Sequence, residues 1–263
     1  MLLERARELS LLGACLARVR EGARGELVLV GGEAGVGKTA LLRAFCRDER
    51  RLLWGACDAL FTPRPLGPLL DIADEVGGEL AALVETGARP HEVASALLRD
   101  LRMRTPTILV LEDLHNGDEA TLDVLRLLAR RLETVPALVL VSYRDDELER
   151  THPLRRVIGE LSATRLNLAP LSQGAVAELA GPVGVDAAEL YRRTSGNAFF
   201  VTEALAAGAS DIPLTVKDAV LARAARLSPR ARTVLEAAAI VPPQAELWLL
   251  EALASEAVDE LET

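Results

Sequence analysis

Residues 32–39 read Gly-Glu-Ala-Gly-Val-Gly-Lys-Thr, a Gly-x4-Gly-Lys-Thr spacing that constrains the fold more than any other stretch of the chain. Glycine reaches φ > 0 without steric cost, so Gly32, Gly35 and Gly37 allow a loop whose backbone N–H groups, together with those of Glu33, Ala34 and Val36, turn inward as an anion cradle. Lys38 adds a mobile ammonium, Thr39 a hydroxyl suited to Mg²⁺, and Ala40 an N–H from the first turn of the helix that must follow. Lys38 and Lys217 are the only lysines among thirty lysine and arginine residues. A chain so biased to arginine keeps a lysine where a compact ammonium fits and a planar guanidinium does not. The pattern predicts a nucleotide phosphate site between a strand and a helix.

The surrounding sequence supplies both elements. Glu26 to Val30 is an apolar run that reads as a buried strand, and a helical period follows the loop through Phe45. Before it, Leu9, Leu12, Cys15, Leu16 and Val19 give Arg5 to Val19 the period of an amphipathic helix. Further strands are predicted at Leu52–Gly55, Thr107–Leu111, Ala137–Val141 and Arg165–Leu168, with helical patterns between them. Strands alternating with helices imply a parallel sheet in an α/β fold. Past Pro170 the strand signals stop and helices are predicted at Ser172–Ala180, Ala187–Thr194 and Ala198–Ala207. Thr215 to Asp218 has a capping-box pattern, Ser228-Pro229 pairs an N-cap with a first-turn proline, and Leu247 to Ala254 begins another helix. The last segment reads as an unfinished domain.

A second apolar strand, Ile108 to Leu111, ends in Glu112-Asp113. Acids at that place are expected beside the phosphate loop, on a neighbouring strand: one holds Mg²⁺, the other orients or deprotonates an attacking water, and the sequence leaves open which does which. The extra strand near Leu52 separates this pattern from nucleotide kinases and small GTPases, and no guanine-selecting Asn-Lys-x-Asp motif occurs. Arg144 follows the next strand, where it either senses a terminal phosphate or caps a solvated end. His115 reads as a hydrogen-bonding turn residue rather than a catalyst. Asp118 to Leu132 carries Leu122, Leu125, Leu128 and Leu132 on one stripe, a packing helix.

Several classes are excluded or disfavoured. The longest stretch without a charge, Leu166 to Ala177, has twelve residues against the ~20 that cross a bilayer. The N-terminus lacks an export pattern, so a cytoplasmic protein without membrane contact is expected. Cys15, Cys46 and Cys57 are odd in number, far apart and without histidine at ligand spacing, which argues for buried thiols rather than disulfides or zinc. A net charge of −9, with acids spread along the chain, offers no basic footprint for wrapping nucleic acid.

Five segments occur together in a recognisable order: Leu2-Leu3-Glu4-Arg5-Ala6-Arg7-Glu8-Leu9, the loop at 32–39, Leu111-Glu112-Asp113-Leu114-His115, Ser142-Tyr143-Arg144-Asp145, and Ser195-Gly196-Asn197-Ala198-Phe199-Phe200-Val201. The set resembles the N-terminal ATPase module of the large ATP-binding LuxR-type transcriptional regulators, in the STAND group of AAA-like P-loop ATPases. The resemblance implies a three-layer P-loop sheet of the additional-strand type over 1–169, a helical lid over 170–210, and the start of a winged-helix-like domain over 211–263. It implies ATP and Mg²⁺ as ligands, with Gly32, Gly37, Lys38 and Thr39 as Walker A and Glu112 and Asp113 as Walker B. Arg144 takes the place of the sensor arginine, and Asn197 lies in the lid motif near the adenine. It also implies a slowly hydrolysing switch that self-associates on ATP and an unknown inducer, and that reaches DNA only through a helix-turn-helix outside this chain. Glu4 stands where the family often has glycine, Asn116-Gly117 where it often has Trp-Ala, and Ala198 where it often has proline. Other readings of the same residues are an origin-recognition-type DNA loader, a small-molecule phosphotransferase with Asp113 as base, and a nucleotide-holding module without turnover.

Overall fold

The computed structural model describes residues 2–22, 24–60, 62, 64–103 and 106–207, then 217, 220, 221, 224, 225 and 227–239. Five strands, β1 (Glu26–Gly31), β2 (Leu52–Ala56), β3 (Thr107–Glu112), β4 (Ala137–Ser142) and β5 (Thr164–Asn167), form one sheet in the order β2-β3-β4-β1-β5. Every pairing is parallel, with Leu27 opposite Val139, Leu109 opposite Val139 and Val30 opposite Leu166. A parallel sheet must be covered on both faces, and the continuous Val/Leu/Ile runs of β1, β3 and β4 meet that condition.

Alternate residues of each strand enter different cores. Val28, Val30, Ile108, Val110, Leu138 and Leu140 pack under α1 (Ala6–Gly22) and α2 (Lys38–Cys46). Leu27, Leu29, Leu109, Leu111, Val139 and Val141 pack under α3 (Gly67–Val76), α4 (Gly78–Glu85), α5 (Pro90–Met103), α6 (Glu119–Ala129) and α7 (Pro153–Glu160). The result is the three-layer α/β architecture of P-loop NTPases that the alternation implies.

The sheet has the additional-strand arrangement, and one expectation, the identity of the inserted strand, is corrected. The acid-bearing β3 is not beside the loop-bearing β1, because β4 lies between them. All six residues of β4 are buried, so it requires a partner on each side, whereas β2 alternates between half-buried and buried residues and takes the edge. The inserted strand is therefore the one at Ala137, not the one at Leu52.

Smaller departures have local causes. The helix predicted over Asp118–Leu132 ends at Ala129 and continues as a 3-10 turn over Leu132–Thr134, with Leu132 still buried. Asp118 lies outside the helix as its N-cap, accepting from the N–H groups of Ala120 and Thr121.

After β5 come α8 (Gln173–Ala180), α9 (Ala187–Thr194) and α10 (Ala198–Ala206), which share a separate small core of Leu171, Val176, Ala180, Leu190 and Val201. Ser172, Asp186 and Asn197 cap them through side-chain oxygens. Ser228 accepts from the Ala231 N–H at the start of a helix over Pro229–Ala239, as its position before proline predicts. Lys217 is helical, while the rest of the Thr215–Asp218 capping box and the helix expected at Leu247–Ala254 lie outside the described residues. All three cysteines are free and buried. Among the described residues no helix is long and apolar enough to cross a membrane.

Candidate nucleotide-binding site

β1 ends at Gly31 and α2 begins at Lys38, so the glycine segment spans the carboxyl edge of the sheet, where ligands of open α/β folds bind. Gly37 is the N-cap of α2 at φ 104°, left-handed backbone that only glycine adopts readily. The first N–H groups of α2, from Lys38, Thr39 and Ala40, have no carbonyl within the helix to receive them and carry the positive end of its dipole. The Lys38 ammonium folds back across the loop, donating to the Gly32 carbonyl at 2.6 Å and the Glu33 carbonyl at 2.8 Å. It is 6% exposed, and burial pulls its pKa below the ordinary lysine value while the Asp113 charge opposes that shift. A buried ammonium beside a helix N-terminus is a site that gains from an anion.

On the facing side, the Thr39 hydroxyl donates directly to Glu112 Oε1, while Trp54 Nε1 holds Oε2 at 3.0 Å. β3 carries Glu112 to this point although β4 lies between β3 and β1. Asp113 leaves the strand in left-handed backbone at φ 52°, and its N–H donates to Ser142 Oγ at 3.0 Å. That bond fixes the end of β3 against the end of β4. Burial pushes the Asp113 carboxyl above its usual value, against the Arg144 and Lys38 charges that pull it down.

Arg144 continues from β4, and its guanidinium donates to Glu147 Oε1 at 2.5 Å on its own segment rather than to the loop. Its backbone N–H donates to His115 Nδ1 at 3.4 Å. His115 lies in the 3-10 turn Leu114–Asn116, and burial followed by the Arg144 charge pushes its pKa down to about 4. A neutral, buried ring that joins two strand ends suits the turn-residue reading.

Asn197, from the turn between α9 and α10, is 4% exposed and donates its side-chain amide to the Ala34 carbonyl at 2.8 Å. The Phe199 N–H donates to the Gly35 carbonyl at 2.9 Å. A Cβ on Gly35 would lie 2.7 Å from Asn197 Oδ1 and 2.8 Å from the Phe199 Cβ, so the second glycine of the loop admits the close approach of α10. Val36 is fastened from the other side: the Arg5 guanidinium, 5% exposed, donates to the Val36 carbonyl at 3.4 Å and to the Ala169 carbonyl at 2.7 Å.

The structure thus brings Gly32 to Ala40, Glu112, Asp113, Arg144 and Asn197 to one edge of the sheet. Arg5, Trp54, Ser142 and Glu147 join them; Arg5 and Ser142 lie in two of the five recurring segments without an assigned site role, and Trp54 and Glu147 lie outside those segments. Ser142 and Glu147 had a signal, the first as a polar residue closing a wholly apolar strand, the second at three residues from an arginine. Arg5 and Trp54 had none, since their partners are remote in the chain.

The residues present fit nucleotide and Mg²⁺. The cradle offers a helix N-terminus and a buried ammonium to phosphate. Thr39 and Glu112 offer the hard oxygen donors that Mg²⁺ prefers. Among the described residues no three His, Cys, Asp or Glu side chains form a cage, which suits an ion completed by phosphate and water oxygens.

Residues 1–141 match the family described as the AAA ATPase domain. The chain belongs to that family. This AAA ATPase domain chain is 27% identical over 316 aligned positions to an uncharacterized protein of Rhizobium meliloti (strain 1021), a match covering 96% of this chain. The chain spans 31% of the length of that curated relative. Among solved structures it is similar to the Aeropyrum pernix ORC1 protein in complex with DNA, with a TM-score of 0.60 at 19% identity, covering 97% of this chain and 78% of that one. It is similar to Cdc6p of Pyrobaculum aerophilum, with a TM-score of 0.57 at 16% identity over 100% of this chain and 82% of that one. A STAND protein with a tetratricopeptide repeat sensor from Pyrococcus horikoshii gives a TM-score of 0.51 at 18% identity, over 95% of this chain and 36% of that one. At these identities the structural likenesses establish the P-loop fold.

Proposed function

We propose that this AAA ATPase domain chain is an ATP-binding, slowly hydrolysing switch module of a LuxR-type transcriptional regulator, acting in the cytoplasm. The observation that carries the nucleotide reading is the pairing of the buried Lys38 ammonium, at the N-terminus of α2, with the Thr39–Glu112 contact that joins loop to acid. The order of the five family motifs and the similarity to a STAND protein support the regulatory part.

In this reading residues 1–169 form the ATPase core, 170–210 a helical lid and 211–263 the beginning of a winged-helix-like segment. Lys38 exchanges its two loop carbonyls for phosphate oxygens. Thr39 and Glu112 would hold Mg²⁺, which would supply positive charge to the phosphate oxygens when bound. Asp113 accepts a proton from the water whose oxygen attacks the γ-phosphorus as the bond to the β-phosphate oxygen breaks, giving ADP and phosphate. The charges of Lys38 and Arg144 favour its ionised form against burial. Asn197 and Phe199, bonded to the loop, pass its state to α8–α10, and self-association in response to ATP and an inducer follows. DNA is reached through a domain outside these residues.

A second reading, an origin-recognition-type DNA loader, is favoured by the likeness to the Aeropyrum pernix ORC1 protein and opposed by the net charge of −9. ATP turnover and light scattering with and without plasmid DNA separate the two. Slow turnover indifferent to DNA, with an ATP-dependent change in particle size, is expected. Fast turnover stimulated by DNA would establish the loader instead.

A further inference from the structure

Arg144 and Glu147 form a pair on the segment leaving β4, with Nη1 and Oε1 2.5 Å apart. The pair is partly sheltered, at 29% and 19% side-chain exposure. The second oxygen of Glu147 lies 3.6 Å from Nε2 of His115, whose side chain is 1% exposed. The His115 carbonyl accepts from His152 Nε2 at 3.1 Å, and His152 Nδ1 accepts the Leu154 N–H as the N-cap of α7. Glu147 therefore holds the guanidinium on one oxygen and faces a buried imidazole with the other, and that imidazole connects onward to α7.

The same guanidinium is felt at the candidate site. Its charge acts on both Lys38 and Asp113, two charged groups of the candidate site. Yet its hydrogen bond is taken by Glu147. An anion arriving at the loop draws the Arg144 guanidinium against the pull of that carboxylate. ATP places more negative charge at the far end of the loop than ADP, so the competition differs between the two nucleotides.

We infer that Glu147 is a positioning residue that sets nucleotide discrimination, by acting as the counter-ion from which the Arg144 guanidinium is drawn when a terminal phosphate occupies the loop. The inference rests on the nucleotide-binding reading and adds to it a residue that no motif assigns. A sheltered ion pair is screened less than an exposed one, yet it is modest enough for a polyanion to displace.

The test is equilibrium binding of ATP and of ADP, each with Mg²⁺, to the full chain and to Glu147→Gln, Glu147→Asp, Arg144→Ala and Arg144→Ala/Glu147→Gln. Glu147→Gln is expected to raise the ratio of ATP to ADP affinity about fivefold, because the arginine loses its counter-ion. Glu147→Asp, which keeps the charge on a shorter arm, gives a ratio between those of the parent and Glu147→Gln. Arg144→Ala lowers the ratio below that of the parent, and the double variant matches Arg144→Ala. An unchanged ratio in Glu147→Gln, or a rise that survives without Arg144, would overturn the role of Glu147 while ATP binding by the parent stands. A parent chain that binds neither nucleotide would overturn the nucleotide reading and this inference together.

Discussion

The Asn197 side-chain amide donates to the Ala34 carbonyl at 2.8 Å, fastening the start of α10 to a loop 163 residues earlier in the chain. The same side chain accepts the Phe199 N–H at 3.2 Å as the N-cap of α10. Asn197→Ala removes tether and cap together, and urea unfolding is expected to show a loss of about 1–3 kcal/mol. Asn197→Asp keeps the capping oxygen and loses the amide donor, so it should restore part of the stability while ATP affinity stays reduced. Equal ATP affinity in the parent and Asn197→Asp would show that the tether does not shape the loop.

Thr39 and Glu112 are in direct contact, so the hydroxyl and carboxylate that fit Mg²⁺ already converge. Thr39→Ala should bind ATP in the presence of a chelator as the parent does and lose most of the gain in affinity that Mg²⁺ confers. Titration with and without Mg²⁺ checks this, and an undiminished Mg²⁺ effect would remove Thr39 from the metal site. Trp54→Phe frees Glu112 Oε2 without touching Thr39 and should change the Mg²⁺ effect less.

Asp113 follows β3, and the charges of Arg144 and Lys38 act on its carboxyl against the effect of burial. Asp113→Asn retains its size and its backbone bond to Ser142 but cannot accept a proton. Turnover is expected to fall about 10²-fold or more with ATP binding preserved. Glu112→Gln should instead weaken Mg²⁺-dependent binding, and the reverse pattern in the two variants would exchange the roles assigned to these acids.

His115 is held neutral, its pKa pushed from 6.5 down to about 4 by burial and then by the Arg144 charge. A base whose value is depressed in the folded protein takes up its proton more readily when unfolded. Its contribution to stability is full above pH 6.5 and is lost as the pH falls through 6.5 toward 4. Urea midpoints should therefore decline across that window, and His115→Gln should flatten the decline. A slope unaltered by the substitution would assign the pH dependence to other groups.

The features legible in the sequence are those set by near neighbours along the chain. The glycine spacing of 32–39, the apolar runs of β1, β3 and β4, and the cap Ser228 each depend on a few adjacent residues, and each appears where its pattern puts it. The sheet order was not legible, because the burial of β4 on both faces follows from packing that a strand's own residues permit but do not dictate. Remote contacts were hidden for the same reason: Arg5 reaches Ala169, Trp54 reaches Glu112, and Asn197 reaches Ala34 across distant parts of the chain. Glu4 is instructive. It adopts left-handed backbone, at φ 53°, and its carboxylate accepts from the Ser172 N–H at 2.8 Å, a contact 168 residues away along the chain that no local pattern signals.

Phosphate binding by the 32–39 loop through Lys38 is the proposal on which the other assignments at this site depend. Equilibrium binding of ATP with Mg²⁺ to the parent chain and to Lys38→Ala, both shown to unfold cooperatively, tests it most directly. Saturable binding by the parent and an affinity at least about tenfold lower in Lys38→Ala is the predicted result, since a charge-assisted contact to phosphate is lost. Equal affinity in the two proteins would remove Lys38 from phosphate binding.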